Sequence, residues 1–271
     1  MKEVPAHLRR LDLLPWPMVV EQARRRGSTV IWPFGAIEQH GPHLPIATDA
    51  LFAERITDAV LDQVDSSLPL WRLPVQSLGF SPEHRGFPGT ISLPASLLVA
   101  LVNQVGQALA EAGFQRLVLF NAHGGQIGLL EAAARELRSN APQLAVLPCF
   151  LWRGPEGIAP LIPEPERREG LHAGLAETSL MLHLAPELTG PTPAADGPAS
   201  RGLKPPAGWS LEGAAPSAWL THELSASGVV GDPSGASAQL GGQLFEALVS
   251  SWVNRLEALV RSDWPATGEL R

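Results

Sequence analysis

The 271-residue chain has no tyrosine, a single cysteine and only three methionines. One cysteine, Cys149, excludes an internal disulfide framework and suits a reducing compartment. Long hydrophobic runs are also missing. No window approaches the roughly 18 uninterrupted apolar residues of a membrane span. The charged opening MKEVPAHLRR has no apolar signal core behind it. Both point to a soluble, cytoplasmic protein with no membrane partner. Positive charge is in deficit: the formal net charge is −7, which argues against a nucleic-acid partner. There is no Gly-x-Ser-x-Gly elbow, which weakens a serine-hydrolase reading. There is no internal repeat and no clear domain boundary, so one domain over residues 1–271 is expected.

What the chain does have is a large apolar fraction, 45%, with 26 glycines and 26 prolines. That combination reads as loop-rich and folded. A helix is expected near residues 17–26, then a buried strand at 28–34. Thr48 can cap a helix running to about Val60. Further strands are expected at 70–75, 116–120 and 144–151. Helices are expected at 93–112, with Pro94 in the first turn and Gly113 as the stop, and from the His-Gly-Gly turn to about 140. Residues 153–170 read as a Pro- and charge-rich excursion, and 186–222 as a long cover loop. A helix begins in LHAGLAETSLMLHLAP, and the last helix covers about 236–261. Strands alternating with helices imply βαβ units and a mostly parallel sheet covered on both faces, an α/β sandwich of three layers. In such folds the ligand site lies at the carboxyl ends of the strands.

Two strand ends carry the chemistry. After the first strand comes WPFGAIEQHGPHLPIATD, a loop stiffened by Pro33, Gly35, Gly41, Pro42 and Pro45. It holds Glu38, His40, His43 and Asp49, donors of the kind divalent metals take. Glu38 and His40 are two apart, so in extended backbone they leave on the same side. After the third strand comes Asn121-Ala122-His123-Gly124-Gly125. It reads either as a tight turn or as the seat of a fourth ligand, and its glycines fit neither the dinucleotide nor the P-loop pattern.

Other candidates keep two readings. Glu177 near a helix start is either simple charge complementarity or, with His172, a ligand or general acid–base pair. Glu83, His84 and Arg85 form a polar loop tip or touch substrate. Cys149, inside an apolar strand, reads as core. His7, His183 and His222 belong to no constellation.

Together these stretches resemble the creatininase (creatinine amidohydrolase) family: PFGAIEQHGPHLPIATD, EHRGFPGTISL, NAHGG, HAGLAETSLML and GVVGDPSGAS, in that order from residue 33 to 237. The resemblance implies a three-layer α/β/α fold, a homo-oligomer (often a hexamer) and metal-dependent hydrolysis of a C–N amide bond in a small molecule. It implies two divalent ions, zinc, manganese or iron, that activate a water. The positions matching Glu38 and His123 hold one ion, that matching His40 holds the other, and that matching Asp49 bridges them. The position matching His172 is a proton donor. Creatininase itself has a metal-binding glutamate where this chain has Gly125, so Glu177 is expected to complete the second site. A substrate-covering tryptophan is replaced by Arg168; the other matches Trp152. Trp152, Arg168 and His84 are the expected substrate contacts. The resemblance implies a small cyclic amide or a formamide as substrate. Alternatives are deformylation of a pyrimidine nucleotide intermediate or cleavage of a modified peptide. A non-catalytic metal or small-molecule binding protein is the reading outside enzymology.

Overall fold

The computed structural model describes residues 9–265; the charged opening and His7 lie outside the described residues. Four parallel strands run through the middle in the order β2-β1-β3-β4: β1 Thr29–Phe34, β2 Leu70–Arg72, β3 Arg116–Asn121 and β4 Ala145–Phe150. β1 and β3 pair over their full length, Thr29 opposite Arg116 and Phe34 opposite Asn121. Parallel neighbours require crossovers, and helices supply them. The helices of the described residues are, in chain order, α1 Trp16–Ala23, α2 Thr48–Gln63, α3 Ala95–Ala112, α4 Ile127–Asn140, α5 Glu164–Glu169, α6 Leu175–Leu184, α7 Pro198–Arg201, α8 Thr221–Leu224 and α9 Ala238–Arg261, of which α2, α3 and α4 lie between successive strands.

Strand alternation divides the core into two layers. Val30, Trp32, Phe34, Leu117 and Leu119 face α1, α3 and α4, where they meet Ala23, Leu98, Val102, Leu130 and Leu137. Ile31, Val118 and Phe120 face α2, α6 and α9, where they meet Phe52, Ile56, Leu180, Leu244 and Trp252. Each fully buried Leu or Phe adds about 1.5–3 kcal/mol, so both faces need their cover. The chain is therefore a three-layer α/β/α sandwich. α3 is apolar and long enough by length and composition to cross a membrane. Here Leu98, Val102 and Leu109 lay it against the sheet.

Several boundaries differ from expectation. The second strand stops at Arg72, because Pro74 has no N–H for the ladder. Pro94 is the N-cap of α3 rather than part of its first turn. Thr48 does not cap α2; it is the first helical residue, and its hydroxyl donates to the Pro45 carbonyl at 2.6 Å. The excursion at 153–170 contains α5, and the cover loop at 186–222 contains α7 and the start of α8.

Candidate metal centre

All four strands send their carboxyl-end loops to one place. The β1 loop enters beside α2, where Gly35 is pressed against backbone: an added Cβ would lie 2.4 Å from the N and Cα of Ala50. That contact brings the start of α2, and with it Asp49, under the loop. Glu38 and His40 point inward. Gln39, between them, points the other way and ties the outer side together. Its amide nitrogen lies 2.8 Å from His84 Nδ1 and 3.1 Å from the Gly228 carbonyl, which accepts from it. Its backbone carbonyl accepts from His172 Nε2 at 2.7 Å. Gln126, fully buried, joins three loops: its amide donates to the Gly35 carbonyl and to Asn121 Oδ1, and its oxygen accepts from Phe80 N.

The β3 turn is fixed by Asn121, whose side chain accepts from His123 N at 3.0 Å and donates to His123 O at 2.7 Å. His123 Nε2 donates to the Phe80 carbonyl at 3.0 Å, which leaves Nδ1 facing Glu38 Oε1 and Asp49 Oδ2, each at 3.2 Å. His40 Nδ1 donates to the Glu38 carbonyl at 3.1 Å, so its Nε2 lone pair faces Asp49 Oδ1 at 3.4 Å. The two oxygens of Asp49 therefore address two different histidines. Glu177 arrives from the first turn of α6, and its Oε2 accepts from Ala173 N at 2.6 Å. Ala173 is the one non-glycine among the described residues with positive φ, +53°. Such strain is held where surrounding structure over-determines it. Here Glu177 holds the Ala173 N–H, and the neighbouring His172 pairs its backbone with Val230 in the GVVGDPSGAS segment.

Donor atoms of His40, Asp49 and Glu177 lie within 4.8 Å of one another, as do those of Glu38, Glu83 and His123, and those of Glu38, His40 and His172. Glu38 Oε1 and Oε2, His40 Nε2 and Asp49 Oδ2 are sealed from solvent with no hydrogen-bond partner. Lone pairs facing lone pairs in a dry pocket are costly. Cations between them resolve the conflict, so the residues fit a metal site. The electrostatics agree. Burial pulls the His40 imidazole down, yet Asp49, Glu177 and Glu38 raise it to about 9. Burial likewise opposes His123, which Glu38, Asp49 and Glu83 hold well above its usual range. Burial pushes the Glu177 carboxyl up to about 7, with His40 opposing and Asp49 assisting. Each shift favours added positive charge. His172 goes the other way: burial, then His84 and His40, keep it neutral. With Nε2–H given to Gln39, its Nδ1 is open, 3.8 Å from Glu38 Oε1.

Of the expected substrate contacts, His84 is in the wall, its Nε2 3.3 Å from Glu38 Oε1 and its ring 4.1 Å from that of His172. Trp152 lines the neighbouring cavity, edge-on to Phe52. Arg168 does not reach the centre. It is exposed on α5, pairs with Glu169 and borders a further groove that shares Leu171 and Glu212 with the cavities described below. Glu83 was readable in the sequence as a polar loop tip or a substrate contact; the fold brings it to 3.3 Å from His123 Nε2. Two cavities meet at the centre. One, about 420 Å³, is lined by Glu38, Asp49, His123 and the 211–220 segment. The other, about 530 Å³, runs past Trp152, Ile158 and Glu166. Both are bounded by Gly124, Leu171, His172, Glu177 and Glu212.

The creatinine amidohydrolase family model matches residues 12–256. A mycofactocin precursor peptide peptidase of Mycobacterium ulcerans (strain Agy99) is 34% identical over 235 residues, 84% of each chain. A creatinine amidohydrolase of Pseudomonas putida is 29% identical over 189 residues, covering 65% of this chain and 71% of that one. A solved structure described as "Creatininase Mn" superposes with a TM-score of 0.72 at 25% identity, over 93% of this chain and 98% of that one.

Proposed function

Since this chain belongs to the creatininase family of amidohydrolases, we propose that it hydrolyses a C–N amide bond in a peptide-like substrate with two divalent cations, manganese or zinc. One ion is assigned to Glu38 and His123, the other to His40 and Glu177, with Asp49 between them. Bound there, such ions supply a water deprotonated near neutral pH and a Lewis acid for the carbonyl. The chain's own groups do the rest. Asp49 offers one oxygen to each side of the pair. Gln39 and the Phe80 carbonyl hold the His172 and His123 rings in the tautomer that presents Nδ1 inward. His172 Nδ1, neutral and unprotonated, accepts a proton from the attacking water and delivers it to the departing nitrogen, a poor leaving group otherwise. Leu211, Glu212, Ala218, Trp219 and Leu220 line the outer side of the cavity.

The observation that carries the substrate reading is the pair of cavities meeting at His172 and Glu177. A small cyclic amide or formamide occupies one room; a peptide has an arm for each side of the bond. The relatives named for a precursor peptide favour the same reading.

The test is a panel on metal-loaded protein: precursor-type peptides, short unmodified peptides, formamides and creatinine. Peptide cleavage with creatinine near background is expected. Creatinine turnover at kcat/KM of about 10⁴ M⁻¹s⁻¹ or more, with every peptide inert, would overturn it.

A further inference from the structure

We propose that Glu83 is a metal ligand of this centre, and that glycine stands at position 125 to admit it. The inference rests on the two-cation reading above. Glu83 sits in the short 3-10 turn Pro82–His84 after β2, with its side chain 14% exposed. A Cβ built on Gly125 would lie 1.6 Å from Glu83 Oε1 and 2.7 Å from His123 Nε2. The carboxylate thus fills the space that a side chain at 125 would take. The preceding Gly124 is different, because an added Cβ there meets nothing within 4 Å. The two glycines of one turn serve different ends, and only the second makes room.

Donor atoms of Glu38, Glu83 and His123 already fall within 4.8 Å of one another. Donors on one ion are up to about 4 Å apart; Glu83 Oε1 now lies 3.3 Å from His123 Nε2, so its carboxylate has to turn toward the Nδ1 side of the ring to share that ion. Glu38 contributes two buried oxygens with no hydrogen-bond partner to the same spot. Charge gives a separate argument. Glu38, Asp49, Glu83 and Glu177 carry four negative charges, which match two divalent ions when the histidines are neutral. With Glu83 the centre is neutral while the water on the ions is still protonated; with only three carboxylates it is neutral only once that water has become hydroxide. The same loop also sets the ring: the Phe80 carbonyl takes the His123 Nε2 proton at 3.0 Å, and Ser81 Oγ lies 3.3 Å from that nitrogen. One loop therefore both aims the histidine and brings a carboxylate beside it.

The test titrates metal-free protein with Mn²⁺, measures bound metal after dialysis, and records the visible bands of the Co²⁺-loaded form. Wild type should hold two ions. Glu83→Gln and Gly125→Ala should each weaken one ion by about 10- to 100-fold or more, the second because its methyl displaces the carboxylate. The double variant should be no worse than Glu83→Gln, since both remove the same contact. Gly124→Ala should match wild type. The Co²⁺ bands should move in Glu83→Gln, because a ligand has gone. Unchanged bands with weaker binding would make Glu83 a positioning residue for His123 and overturn the ligand assignment. So would wild-type affinity in Glu83→Gln or Gly125→Ala, or fully additive losses in the double variant. Those results leave the two-cation reading standing; wild-type protein that takes up no stoichiometric metal would overturn both.

Discussion

Gly241 and Gly242 are neighbours near the start of α9, and alanine at the two positions should have opposite effects. α9 lies along α6 at this point. A Cβ on Gly241 would sit 1.9 Å from the Ser179 carbonyl oxygen, 2.6 Å from its carbon and 2.8 Å from His183 Cβ. Those are mostly backbone atoms, so no side chain can swing aside, and relief needs a helix shift on the order of 1.5 Å. Overpacking of that kind costs about 1–3 kcal/mol. Against it stands a gain of up to about 1 kcal/mol from replacing glycine inside a helix. At Gly242 the nearest atom is His183 Nδ1 at 3.4 Å, so the helix gain stands almost alone. Gly241→Ala should therefore lose about 1–2 kcal/mol and Gly242→Ala gain up to about 1. In melting temperature the two variants should differ by about 4–8 °C for a chain of this size. Urea denaturation at equal m-values measures it. Ser179 is two residues from Glu177, so Gly241→Ala should also weaken one of the two ions. Equal stability of the two variants would refute the close-approach argument, because helix propensity alone gives them the same sign.

His172→Ala should keep both ions and slow turnover by about 10²–10⁴, while Glu177→Gln should lose one ion; the reverse pattern in a metal titration exchanges their roles. Asp196 is half-buried, which raises its carboxyl, but donors from Ser227, Gly197 and Ser225 hold it well below the usual carboxylate range. A depressed folded-state pKa stabilises above the unfolded value of about 4 and is lost as pH falls through the folded one. Asp196→Asn should thus lower neutral stability and flatten the acid limb of the stability curve; an unchanged acid limb would show that these bonds contribute nothing net. Burial pushes the Cys149 thiol up to about 11, only slightly opposed by Arg255. At pH 8 iodoacetamide should label the native protein about 10²-fold more slowly than the urea-unfolded chain, and equal rates would mean that the thiol is open.

The sheet was legible because its signals are local. Apolar runs such as Thr29–Phe34 and Arg116–Asn121 need only composition and bounding turns to be read. Glu38, His40 and Asp49 were legible as a group because one stiff loop carries them. Their meeting with His123 followed from parallel topology, which sends successive loops to one end. Glu83 was not legible: its approach to His123 depends on how the loop after β2 folds over the β3 turn, and the only trace in the chain is a glycine at 125. Arg168 is the opposite case. Its chemistry suits an anion, but α5, a short helix in a stretch read as irregular, turns it outward to Glu169. Gln39 and Gln126 carried no signal at all, since an amide advertises nothing until its partners are in place.

The unpartnered oxygens of Glu38 and Asp49 bear on how the chain reaches its native state. Every strand pair among the described residues is parallel and joined through a crossover, so the sheet's own pairings are all non-local, which slows folding relative to an all-helical chain. At the end of that search three or more carboxylates must enter a dry pocket together, and proton uptake by His40 and His123 offsets only part of their repulsion. Ions that bind the folded chain and not the unfolded one add about 2.7 kcal/mol at a free concentration one hundred times Kd. That is a large share of the about 5–15 kcal/mol that holds a domain together. On the two-cation proposal, metal supply would act upstream of catalysis. If the ions bind as proposed, a fall in free ion should leave newly made chains open longer and exposed to proteases, lowering the amount of protein along with the activity of each molecule.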